Sequence, residues 1–165
     1  MRFYPYLYCV CRIFVVLLSR NRNYMITERN LIQERKETDF LKEFDNVVKQ
    51  LRSADIEYKT NKVCSLVAQR PAPCFYVSIE QALYQYRLYK QGISNIRNSV
   101  RRRMYAEIFA RFENILETTP THKFQYEIME MVLKQPAPCF YLDDYSALQF
   151  YYNAIKKRRK QRKQQ

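Results

Sequence analysis

Apolar residues recur at helical spacing along most of the chain. Phe40, Leu41, Phe44, Val47, Val48 and Leu51 form one such stripe, for which Thr38 is the expected N-cap. Glu37, Asp39 and Glu43 lie near its start and Lys49 and Arg52 near its end, the order a helix dipole favours. A helical stretch at 27–36 leads into it. Val63, Leu66 and Val67 mark another helix over about 59–69. Pro71 and Pro73 disfavour the α conformation at Arg70 and Ala72, so the chain must straighten there. Cys74 to Val77 continues it as a strand-like apolar run. Ser78, with Gln81 three residues on, opens the next helix as a capping box. Gly92, the only glycine, stands where a left-handed residue closes that helix.

Ile96, Val100, Met104, Ile108, Phe112 and Ile115 then predict a long amphipathic helix over about 94–117. A start at Ser94 or Asn95, rather than at Ser99, keeps Arg101, Arg102 and Arg103 away from the positive end of its dipole. Residues 118–121, with Pro120, end it. A helix over 121–134, an extended segment over 136–142, a cap at Asp143 and a helix over 144–160 complete the series.

The extended segments are the same hexapeptide. Pro71-Ala72-Pro73-Cys74-Phe75-Tyr76 recurs 65 positions later as Pro136-Ala137-Pro138-Cys139-Phe140-Tyr141. At the same offset Val67 matches Val132, Ala82-Leu83 matches Ala147-Leu148, and Tyr86 matches Tyr151. An internal duplication, with repeats over about 59–91 and 121–155, is the natural explanation. The fold class expected is therefore mainly α, built from a helix–strut–helix unit used twice. Two apolar struts are expected to lie side by side in the interior as a short two-stranded antiparallel β pair, which needs helices packed over it. A Pro-Ala-Pro ligand for a proline-binding module is disfavoured because the spacing is not P-x-x-P.

Composition fits this class: 47% hydrophobic residues with 15% aromatic, one glycine and six prolines suit a single helical domain, expected over 25–155 between an N-terminal extension, 1–24, and a basic C-terminal arm, 156–165. The net charge of +13 is concentrated at the two ends. Residues 1–24 hold four arginines and no acid, and 156–165 hold seven cations and no acid, leaving 18 basic and 16 acidic residues in 25–155. The chain thus has a near-neutral body with basic termini.

The first 24 residues differ abruptly in composition from the rest of the chain. The apolar run 3–18 is interrupted by Arg12, too short for a transmembrane helix, and succeeded by no small-residue cleavage site. Translation beginning at Met25 accounts best for the change, a short membrane-associating segment next, and a cleaved signal least. A cytoplasmic location is expected, with membrane contact only if residues 3–18 are present in the mature chain.

Catalytic chemistry has little to build on, and no enzyme, metal or cofactor is expected. Gly92 cannot make a phosphate-cradling loop alone. His122 is the only histidine and reads as a surface or capping residue, and five cysteines at 9, 11, 64, 74 and 139 lack zinc-site spacing. A Cys74–Cys139 disulfide is conceivable, but reduced, buried thiols are favoured. Asp143-Asp144 is accounted for as a cap and a first-turn acid.

The cations carry the functional reading. Lys156, Lys157, Arg158, Arg159, Lys160, Arg162 and Lys163 would surround a helix axis and repel one another, so a frayed arm suited to phosphate backbones is expected. Arg101, Arg102 and Arg103 form a second cluster, with solvated surface as its plainer reading. Tyr84, Tyr86 and Tyr89 alternate with Arg87 and Lys90, and Tyr151-Tyr152 precede the arm, as aromatic partners for unpaired bases would. Tyr86 and Tyr151, at matched positions, are expected in the core, leaving Tyr84 and Tyr89 free. The function expected is non-enzymatic, largely sequence-independent nucleic-acid binding, DNA or RNA. The alternatives are a protein-interaction or homodimer module with a solubilising tail, and a peripheral membrane protein.

Overall fold

Helices form where the apolar stripes run. The computed structural model describes residues 4–93, 96–118 and 125–163, with side chains from Glu28 onward. It is mainly helical, and the described residues form α1 (Tyr4–Ser53), α2 (Thr60–Gln69), α3 (Ile79–Lys90), α4 (Ser99–Thr118), α5 (Gln125–Lys134) and α6 (Asp144–Arg162). His122, the expected helix start at Ser94 or Asn95, the break at 119–121 and the side chains of Cys9 and Cys11 lie outside the described residues. No helix among the described residues is long and apolar enough to cross a membrane.

Three expectations are corrected. Thr38 does not cap a helix; its hydroxyl donates to the Glu34 carbonyl at 2.9 Å inside α1. No Pro or Gly lies near Thr38 to interrupt the helix, and threonine's back-bond to the preceding turn lets it pass. The helix likewise crosses positions 24 and 25 unbroken. Second, α4 starts at Ser99 despite the arginines beyond it, because the Asn98 side chain accepts the Arg101 amide at 2.9 Å. A cap is worth about 1 kcal/mol, which outweighs the few tenths an exposed cation loses at the wrong end of a dipole. Third, the basic tail is not frayed: α6 continues through Arg162, anchored by Lys157 on α1.

Other local readings hold. Ser78 Oγ accepts the Gln81 amide at 3.3 Å, and Asp143 Oδ1 accepts the Ser146 amide at 2.7 Å. Gly92, at φ +73°, donates to Tyr89, and Ile93 donates to Leu88, the two bonds of a Schellman closure. Asp55, at φ +53°, closes α1 in the same way, with Ile56 donating to Leu51.

The proline-led segments meet at the centre. Ala72 and Ala137 exchange both backbone hydrogen bonds at 2.9 Å in a single isolated antiparallel bridge. The expected strand pair is reduced to this one bridge, because proline flanks each alanine on both sides and supplies no N–H for a longer ladder. Phe75 donates to Leu133 at 3.0 Å, and Phe140 donates to Ala68 at 3.1 Å. Exchanging each residue for its counterpart 65 positions away turns one bond into the other. The same offset relates Phe75 against Tyr141 (6.1 Å) to Phe140 against Tyr76 (6.0 Å). It also relates Phe44 against Tyr151 to Phe109 against Tyr86. Ala72, Cys74, Phe75, Ala137, Phe140 and Tyr141 are buried and Cys139 is half-buried; Cys64, Cys74 and Cys139 are free thiols.

Core positions obey that register well beyond the hexapeptide. Phe40 and Tyr105, Phe44 and Phe109, Val47 and Phe112, Val63 and Ile128, Val67 and Val132, and Ala82 and Ala147 are buried in pairs. Packing is crossed between the halves. α6 lies on α1 and α2, whereas α3 lies on α4 and α5. The match is not complete: Tyr141 takes φ +51°, while Tyr76 sends its hydroxyl to Asp39 Oδ2 at 2.7 Å.

Candidate functional site

Continuing α6 as a helix sorts its cations by face. Lys157 turns toward α1, where Nζ lies 3.0 Å from Glu37 Oε2 and 3.9 Å from Glu34 Oε1. Arg158 and Gln161 share that side, lining a hollow of about 450 Å³ with Glu34, Glu37 and Asp45. Lys156, Arg159, Lys160 and Lys163 recur at helical spacing on another side, all exposed and with no carboxylate partner among the described residues. Arg162 is exposed as well.

These four cations border a second open hollow of about 550 Å³, whose remaining lining is Tyr151, Tyr152, Ile155 and Thr60. Tyr151 is half-buried rather than part of the closed core, stacked on Phe44 with centroids 4.3 Å apart. Tyr152 stands edge-on to it at 5.6 Å and is 54% exposed. Thr60 opens α2, whose N-cap Lys59 supplies no side-chain hydrogen bond.

The arginine cluster lies elsewhere. Arg101 borders a shallow hollow with Gln81, Gln85 and Arg97. Arg102 donates to the Ile96 carbonyl at 3.1 Å, and Arg103 places its guanidinium 5.9 Å from the centre of the Tyr141 ring. No hydrogen bond or shared hollow among the described residues joins these arginines to the α6 cations. Tyr84 is exposed and Tyr86 buried; Tyr89 is exposed but tilted against Phe109 at 5.1 Å.

Lys36 had no signal in the sequence. It is half-buried between Tyr76 and Phe150, with Nζ 5.7 and 5.6 Å from their ring centres, and meets no carboxylate among the described residues. Burial, opposed by the Cys139 thiol and reinforced by Arg101, draws its pKa down to about 8. Glu28 is pushed upward, first by burial and then by Glu80 beside it. Neither group lines the α6 hollow.

Comparison with protein-family models, curated proteins and solved structures returns no match. The reading of this surface therefore rests on its own chemistry.

Proposed function

We propose that the protein binds the phosphate backbone of nucleic acid through the exposed face of α6, without catalysing a reaction. The observation that carries this is the sorting of charge. Lys157 is committed to α1, while Lys156, Arg159, Lys160 and Lys163 are left together toward solvent, with no ion-pair partner among the described residues. Such a stripe recognises a linear polyanion and carries little base information. Arg101 with Arg97 adds a secondary cationic patch, whereas Arg102 and Arg103 have intramolecular contacts of their own. Free thiols at Cys64, Cys74 and Cys139 suit a reducing cytoplasm.

Four engaged cations predict a slope of log K on log salt of about 3–4. Fluorescence anisotropy with labelled oligonucleotides measures it. Charge reversal of Lys156, Arg159, Lys160 and Lys163 together is expected to abolish binding at moderate salt. Undiminished binding by that variant would sink the proposal.

A second reading has one observation in its favour. An apolar groove of about 230 Å³ between α3 and α4 leaves Tyr89 and Ile93 about half exposed, a surface a protein partner or a second copy could cover. A concentration-dependent mass in sedimentation, lost in Ile93→Lys, would support it.

We also infer that the body arose by duplication of a three-helix unit, now α1–α3 and α4–α6. Support comes from the 65-residue register shared by the hexapeptides, the caps, the buried pairs and the crossed hydrogen bonds.

A further inference from the structure

We infer that the α6 face takes single-stranded nucleic acid, with a base stacked on Tyr152 and neighbouring phosphates on Lys156, Arg159 and Lys163; this rests on the phosphate-binding reading above. A duplex offers a helix face a rail of phosphates, for which cations suffice. This hollow has more than cations: its floor is Tyr151, Ile155 and the Tyr152 ring. Aromatic surface framed by cations matches the two parts of an unpaired nucleotide, a flat apolar base and an anionic link.

The ring is also held in place. Tyr152 meets Tyr151 edge-on at 5.6 Å, and Tyr151 is itself stacked on Phe44 of α1 at 4.3 Å. A base stacking there loses little to ordering of the receptor. From Tyr152, the cations stand four, seven and eleven residues further along the same side of α6. That spacing places them about one turn apart, roughly 5 Å, along the axis. Tyr145 lies seven residues before Tyr152 on the same side and is 74% exposed, so the stripe has a second ring about two turns, roughly 10 Å, away. The positions of α3 that match this stripe do not repeat it: sixty-five positions earlier, Tyr152 is replaced by Arg87 and Lys156 by Gln91.

The test uses three labelled ligands of equal phosphate number at one salt concentration: oligo(dT), an abasic strand and a duplex. The proteins are the full chain, Tyr152→Ala, Tyr152→Phe and the double variant Lys156→Glu/Arg159→Glu, each checked for helicity by circular dichroism. The unaltered protein is expected to bind oligo(dT) about tenfold tighter than the abasic strand, as one stacked base provides. Tyr152→Ala erases that gap while leaving abasic-strand affinity intact, and Tyr152→Phe preserves it. Equal affinity for oligo(dT) and the abasic strand overturns the inference, as does tighter binding of the duplex, or a Tyr152→Ala loss that is the same for both strands. In those cases, salt-dependent binding lost in the Lys156→Glu/Arg159→Glu protein leaves the phosphate-binding reading standing. Binding to none of the three, with or without capture on phosphatidylserine vesicles, overturns both.

Discussion

Replacing Lys36 with methionine is expected to stabilise the protein at neutral pH, and the gain is expected to disappear as the pH rises. The half-buried ammonium has two ring faces but no carboxylate partner among the described residues, and its pKa falls from 10.5 to about 8. A depression of two to three units corresponds to a penalty on the order of 3 kcal/mol for holding the charge in the fold. The two cation–ring contacts offset it by about 0.5–1 kcal/mol each, leaving a net gain of about 1–2 kcal/mol for a methionine packed between the same rings. The sign comes from proton counting. Between pH 8 and 10.5 the unfolded chain binds more protons at this site than the folded one, so stability rises with pH across that window. The penalty is complete below about 8 and gone above about 10.5.

The unaltered protein's curve does not isolate this term, because burial pushes Cys64 up to about 11 and Tyr141 up to about 12. Those groups keep their protons longer when folded, so their contributions fall over the same alkaline range. The difference between the two proteins removes them. Urea unfolding of both at pH 7, 8.5 and 10 is the assay. A Lys36→Met protein that is less stable at pH 7, or a difference that does not shrink toward pH 10, refutes the reasoning.

The helix ends give further outcomes, all readable by urea unfolding. Ser78→Ala removes the acceptor for the Gln81 amide and is expected to cost about 1 kcal/mol. The matching Asp143→Ala is destabilising at neutral pH; because hydrogen bonds from Ser146 lower the Asp143 pKa, its deficit fades as acid protonates that carboxylate. Gly92→Ala meets open space but must hold φ at +73°, so a loss of about 1 kcal/mol is expected from backbone strain alone.

What the sequence made legible was local. Ser78, Asp143 and Gly92 act through bonds to residues three or four positions away, and the prolines at 71, 73, 136 and 138 act on their immediate neighbours. The repeated hexapeptide also pointed to the centre of the fold, though not to how short its pairing would be. Misreadings arose where two weak local preferences competed. Thr38 is as acceptable in the middle of a helix as at its start, and at Arg101–Arg103 the dipole preference competes with the cap that Asn98 supplies. Repulsion along 156–163 is relieved by partners of Lys157 that lie 120 or more positions earlier in the chain, beyond the reach of any local pattern. The same distance hid the site. Nothing near Tyr152 in sequence shows that Thr60 borders it, or that Phe44 braces the neighbouring ring.

The crossed packing governs how the protein is made. As the chain leaves the ribosome, α1 and α2 emerge with the cleft that belongs to α6 still open, and α3 emerges before α4 and α5, the helices it packs on. Neither half can seal itself with its own third helix. Phe40 and Phe44, made early, are covered in the finished fold by Phe150 and Tyr151, made late. A nonsense codon late in the gene would therefore leave an adhesive, half-covered intermediate rather than a slightly shorter protein.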